Sequence, residues 1–216
     1  MEFSVMIGLL LEGTGITALI FFVTLALSLP VGMLVCFGRM SKNILVRSVF
    51  KFYISVMRGT PLVLQLMVFY FGPFYLFGMQ LSDTWKQMAW ILGFSLNYAA
   101  YFAEIYRGGI ESMPQGQYEA AKILGYSKSQ TFMRIILPQV IKRVMPSVTN
   151  EAITLVKDTS LAFTITIAEL FTQAKALASR EANMIPYALA ALIYYVFCLL
   201  VAFIMERVEK KMSYYR

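Results

Sequence analysis

Gly13 to Gly38 is a run of 26 residues without a charged side chain, bounded by Glu12 and Arg39. At about 1.5 Å per residue, a helix of that length outreaches the ~30 Å hydrocarbon core of a bilayer. Lipid admits only structures that satisfy their own backbone hydrogen bonds, which means helices or closed barrels. A run this long has the length of a spanning helix. Pro30 and Gly32 interrupt it, an interruption that membrane helices tolerate where neighbours supply packing.

Three further stretches continue the pattern, and a fourth needs help. Gly59 to Ser82 is uncharged but contains Pro61, Gly72, Pro73 and Gly78, so its helix is expected to end near Gly72. Phe69, Tyr70, Phe71, Phe74, Tyr75 and Phe77 crowd its far end, as an interfacial aromatic belt does. Gln87 to Ala103 is a shorter run of 17. Val144 to Val156 spans only 13 residues, so that helix must continue through Lys157 and Asp158 to about Ala168. Ala182 to Met205 closes the set. The expected fold is all-α, five transmembrane helices in a single domain over residues 1–216, with a cytoplasmic loop at 104–143. Of 216 residues 59% are hydrophobic and 14% charged, which leaves no material for a separate soluble domain.

The distribution of Lys and Arg predicts orientation. Arg39, Lys42, Arg47, Lys51 and Arg58 separate the first two spans with no acid among them. The 104–143 loop is also rich in Lys and Arg, and the tail adds Arg207, Lys210, Lys211 and Arg216. The two intervening loops are poor in basic residues. Basic loops stay in the cytoplasm, so the N-terminus is expected outside and the C-terminus inside. The formal charge of +7 has the same topological origin and does not point to nucleic acid. Glu2 and Glu12 stand where a cleaved leader would need basic residues, so the first span reads as retained.

Several chemistries are excluded by residue type. The chain has no His, and its two cysteines, Cys36 and Cys198, both lie in apolar runs. No metal site or disulfide framework is expected. No phosphate-binding GxxxxGK[ST] loop occurs, so ATP and its Mg, if used, must be held by another chain. The chain is not expected to be an enzyme.

The polar loop has a readable shape. Gln117 to Leu124 reads as a short helix preceded by Pro114, with Gly125 where a helix terminus favours a left-handed residue. Ser127 and Gln130 fit a capping box for a second helix, which Pro138 is expected to break. Two turns of helix are not stable alone in water. Either this unit docks into a partner, or it lies along the membrane as an amphipathic helix. For docking, Glu119 supplies a charge, and Ala120 and Ala121 permit close backbone approach.

Glu119-Ala120-Ala121, three residues, Gly125, nine residues, then Ile135-x-Leu137-Pro138 resembles the coupling loop of the integral-membrane subunits of ABC importers. Arg58-Gly59-Thr60-Pro61-Leu62 and Lys157-Asp158-Thr159-Ser160-Leu161 are similar to the permeases for polar amino acids, the histidine, glutamine, arginine and opine group. The resemblance covers the region from the second span to the end of the fourth. It implies a type I ABC importer permease fold in the bacterial inner membrane. It also implies two ATP-binding cassette subunits docked at Glu119, Ala120, Ala121, Gly125 and Pro138. A second copy or a related permease, an extracytoplasmic solute-binding protein and an amino-acid substrate complete the expected assembly, in contact with membrane lipid.

Candidate substrate residues follow from polar groups inside the apolar runs. Glu151 and Asp158 are seven residues apart on one helix face, and Glu151 lies about 16 Å from Val140. A charge at that depth costs roughly 2.5–3.5 kcal/mol or more and needs a partner or a wet cavity. No basic residue stands one turn from Glu151. Asn97 and Tyr101 share a face of the third span. Each has a plainer reading: Asp158 with Lys157 or a neighbouring helix, Asn97 and Tyr101 as interhelical hydrogen bonds. Glu104 stands three residues before Arg107, the spacing of a boundary ion pair. Arg58, at the start of the second span, fits snorkelling to lipid phosphate, or a gating or inter-subunit contact. Taken together, Asn97, Tyr101, Glu151 and Asp158 are expected to line an amino-acid site whose two acids favour arginine, lysine or histidine. The competing class is a secondary transporter or channel using Glu151 and Asp158 as an ion or proton relay.

Overall fold

The computed structural model describes residues 3–211. Glu2 and Arg216, part of the charge pattern above, lie outside the described residues, among which there is helix but no strand. Helix α1 (Phe3–Arg39) runs unbroken through Pro30. Helix α2 (Ile44–Gly59) starts at Asn43, whose Oδ1 accepts from the backbone of Leu45 at 2.9 Å and of Val46 at 3.4 Å. At Thr60 and Pro61 the chain turns through 108° into α3 (Leu62–Phe77). Helix α4 (Asp83–Glu111) follows, capped by Ser82, whose hydroxyl accepts from Trp85 N at 3.1 Å. The polar loop holds α5 (Gln115–Ile123) and α6 (Lys128–Gln130). A π turn (Thr131–Ile136), α7 (Leu137–Asp158) and a 3-10 turn (Thr159–Ile165) come next. Helices α8 (Leu170–Glu181) and α9 (Ile185–Lys211) complete the described chain.

Helix α4 is the axis of the bundle. It packs against α1, α3 and α7, and its Phe94, Tyr98 and Phe102, one turn apart in sequence, are all buried. Its contact with α1 is the most extensive in the molecule and depends on a small residue. A Cβ built on Gly32 would stand 2.9 Å from Phe102 Cβ and 3.0 Å from the Ala99 carbonyl. In lipid, where apolar burial drives little, such close approach supplies dispersion between helices. Gly32→Leu is expected to push α1 off α4, costing about 1–3 kcal/mol as overpacked cores do. Thermal unfolding of the detergent-solubilised protein should then begin several degrees lower, and an unchanged midpoint would show that the contact is dispensable.

Glu169 ties the end of the bundle at which α4 begins. Fully buried, it caps α8 by accepting from Phe171 N at 2.8 Å, Thr172 N at 2.7 Å and Thr172 Oγ1 at 2.9 Å. It also accepts from Tyr194 Oη of α9 at 2.7 Å and faces Thr17 Oγ1 of α1 at 3.5 Å. Each of its two oxygens thus meets at least two donors, which offsets part of the cost of burial.

Two expected helix ends are corrected. Helix α3 does not stop near Gly72 but passes through Pro73 to Phe77. It ends in an αL cap, with Gly78 left-handed at φ 67° and its N–H donating to the Phe74 carbonyl at 2.9 Å. Nor does Pro138 break its helix: α6, the π turn and α7 form one rod from Lys128. The wider π turn relieves the clash of the proline ring with the carbonyl four residues back. Gln139 Nε2 donates to the Ile135 carbonyl at 2.7 Å, occupying an acceptor in the disturbed ladder.

By length and apolarity α1 and α9 can each cross a membrane, with mean hydropathy of 2.5 and 2.6. The count rises to four if α2 with α3, and the rod with α8, are each taken as one bent span. This is fewer than the five expected. Helix α4 has the length, but Ser95, Asn97 and Tyr98 on its buried face lower its apolarity.

Candidate substrate site and coupling surface

A cavity of about 340 Å³ lies where the α2–α3 corner, α4 and α7 meet. Asn97 and Tyr101 line it from α4, Glu151 and Asp158 from α7, and Thr60 from the corner. The four residues singled out from sequence thus share one cavity, of the size that holds small molecules.

Their individual settings differ. Asp158 Oδ2 accepts from Tyr98 Oη at 2.7 Å, a neighbouring-helix partner, while the adjacent Lys157 is exposed. Consecutive helical residues point about 100° apart, which separates the two. Glu151 is half-buried and has no hydrogen bond or ion pair among the described residues. Asn97 is buried, and its Nδ2 donates to the Met57 carbonyl at 3.0 Å and to Gln65 Oε1 at 3.0 Å. Gln65 Nε2 in turn donates to Met57 O at 2.9 Å, Thr60 O at 3.1 Å and Thr60 Oγ1 at 2.8 Å. This knot holds the 108° corner against α4. The interhelical role read as the plainer alternative for Asn97 is therefore present, and Oδ1 is its remaining polar atom.

Below the cavity, Arg58 has partners within the chain although its side chain stays 44% exposed. Its guanidinium sits 5.2 Å from the centroid of the Tyr101 ring, and Nη1 is 3.9 Å from Glu104 Oε2. Glu104 pairs with Arg107 at 2.7 Å, as its spacing implied, and Arg39 of α1 approaches it at 3.9 Å. Hydrogen bonds from Arg107 lower the Glu104 pKa, which keeps this carboxylate ionised beneath three arginines. Three helices are thereby pinned at one point just under the cavity.

The loop has the expected shape with one difference. Gly125 is left-handed at φ 79°, and Ser127 with Gln130 forms a capping box. Glu119 and Ala120 are exposed, whereas Ala121 is buried within the chain, so it packs the loop and does not offer itself outward. The most exposed apolar groups of the loop are Ile123 and Leu124, at 86% and 73%, with Met133 next at 57%. Reciprocal hydrogen bonds at 2.8 Å between the amides of Gln117 and Gln139 brace α5 on the rod. Among the described residues no cluster of His, Cys, Asp or Glu could hold a metal ion.

The family model for the "Binding-protein-dependent transport system inner membrane component" matches residues 28–214. The chain belongs to this family. The permease is 43% identical over 206 residues to the "Probable amino-acid ABC transporter permease protein YckA" of Bacillus subtilis, covering 95% of this chain and 89% of the relative. It is 38% identical over 208 residues to the arginine transport system permease protein ArtQ of the same organism, covering 96% and 94%. A crystal structure described as an amino acid ABC transporter with histidines superposes with a TM-score of 0.87 at 31% identity, covering 98% of the permease and 99% of that chain.

Sequence reasoning missed Tyr98, Gln65, Ile123, Leu124 and Glu169. Tyr98 and Gln65 matter through partners 60 and 32 residues away, which no local pattern reveals. Ile123 and Leu124 left a signal, two adjacent apolar residues directly before Gly125.

Proposed function

We propose that the chain is the pore-forming subunit of an ATP-driven amino-acid importer, and that its cavity takes basic amino acids. Five spans, the N-terminus outside and the C-terminus in the cytoplasm make up this reading. Two such subunits, identical or paralogous, pair with two ATP-binding subunits that hold ATP and Mg. A solute-binding protein delivers substrate from outside.

One observation carries the choice of substrate: Glu151 makes no hydrogen bond or ion pair among the described residues, is reached only at longer range by Arg58, and shares its cavity with a second carboxylate, Asp158. An uncompensated acid at that depth is costly, and a guanidinium or ammonium group offsets that cost. Relatives are named for arginine, cystine and glutamine alike, so the choice rests on the site and not on the names. Asn97 Oδ1 and the Asp158 oxygen not held by Tyr98 are acceptors for the α-amino group. The rod joins this site to the docking loop, so closure of the ATP-binding subunits around ATP moves the cavity wall directly.

Reconstitution in vesicles with the ATP-binding subunits tests both levels. Labelled arginine, lysine or histidine should accumulate faster than neutral amino acids, and only with ATP. Faster uptake of neutral substrates would remove the basic-substrate reading and leave the importer. Transport without any ATP-binding subunit would remove the importer itself.

A further inference from the structure

Helix α2 presents three different faces. At about 100° per residue, Phe50, Tyr53, Ile54 and Met57 form one side. That side packs on the bundle, with Ile54 buried and Tyr53 Oη donating to the Leu96 carbonyl of α4 at 2.5 Å. Leu45, Val49, Phe52 and Val56 form a second stripe, roughly 60° wide and roughly 120° round from the first. These four are 74%, 65%, 72% and 39% exposed. Arg47, Lys51 and Arg58 form the third, roughly 150° from the apolar stripe. Arg58 is held by Glu104 and Tyr101, but Arg47 and Lys51 are exposed and make no ion pair among the described residues.

The 108° corner sets how these faces lie. Helix α3 runs antiparallel to α4: Gln65 bonds Asn97 near one end, and Trp85 Nε1 donates to the Tyr70 carbonyl at 3.1 Å near the other. If α3 and α4 stand along the membrane normal, α2 lies nearly in the membrane plane. One face then abuts the bundle, the apolar stripe points into the hydrocarbon, and the basic row points toward water on the side of Glu104. No Asp or Glu occurs between Arg39 and Asp83 to neutralise that row.

We propose that α2 is an interfacial helix that binds anionic phospholipid, with Phe52 and its neighbours among the acyl chains and Arg47 and Lys51 on the headgroup phosphates. Charge complementarity and the division of the faces select this occupant. An apolar stripe alone would suit any lipid, and a basic row alone any anion. Their placement on opposite sides of a helix lying in the plane matches the boundary of an anionic leaflet.

The test uses the assembled transporter in nanodiscs, with Phe52→Trp as a reporter and the parent protein correcting for Trp85 and Trp90. Brominated phosphatidylglycerol or brominated phosphatidylcholine is the quencher. Phosphatidylglycerol should quench the new tryptophan more strongly at equal mole fraction. Its preference should fall about five-fold for each of Arg47→Gln and Lys51→Gln. Both charges are exposed, so neither substitution threatens the fold. Equal quenching by the two lipids, or a preference that survives both substitutions, overturns the proposal. Absence of quenching by either lipid also overturns it, because the stripe would then be covered by protein such as the second subunit.

Discussion

The double variant Ile123→Glu and Leu124→Glu is expected to lose its ATP-binding subunits during purification and to lose transport with them. Both side chains project from the tip of the loop, 86% and 73% exposed, so their removal leaves the fold untouched. Exposed substitutions of this kind change stability by about 0.5 kcal/mol or less. Their value lies in a partner's groove, where buried apolar anchors contribute about 2 kcal/mol or more each, roughly thirty-fold in affinity. Co-purification with a tagged ATP-binding subunit measures the first effect and the thermal midpoint of the permease the second. Retained subunits at full stoichiometry would show that docking uses another surface. Gly125 supports these anchors indirectly, because its φ of 79° turns the chain immediately after Leu124.

Glu151→Gln is the second large expectation. The amide keeps the size of the side chain and removes a charge that no described residue pairs with directly, Arg58 acting on it only at longer range. A hydrogen bond to a charged group is worth about 1.5–3 kcal/mol, so uptake of arginine should fall roughly ten- to hundred-fold at limiting substrate. Uptake of a neutral amino acid should fall much less. Equal loss for both would mean that Glu151 acts on the structure of the pore. Asp158 is a poorer discriminator, since Tyr98 already donates to it and its loss would strand that hydroxyl.

Local patterns were read from sequence where local chemistry decides them. The Gly125 turn, the Ser127 capping box and the Glu104–Arg107 pair each involve residues within a few positions of one another. The grouping of Asn97, Tyr101, Glu151 and Asp158 was legible too, because helical spacing places each pair on one face and polarity points both pairs away from lipid. The failures share a cause. Pro138 and Gly72 were read as helix ends from intrinsic propensity, but a π turn carries the rod past Pro138, and α3 runs on through Pro73 to the left-handed Gly78. The contacts of Arg58 within the chain were not legible, because Tyr101 and Glu104 lie more than 40 residues ahead. Ala121 looked like a docking residue because its small size suits close approach from either side of a helix.

The sequence by itself determined that this chain is a helical membrane protein with a structured polar loop, and that its intramembrane acids need company. Those conclusions follow from transfer free energies and backbone geometry, which act residue by residue. Only the tertiary structure decided what that company is. It gave Asp158 a tyrosine, left Glu151 without a hydrogen bond or ion pair among the described residues, tied Asn97 to the α2–α3 corner, and drew three arginines onto Glu104. It also made one rod of the loop and the site, so that Lys128 and Asp158 are joined by about 45 Å of continuous helix. Partners so far apart in the chain are brought together by packing, and packing depends on every helix at once.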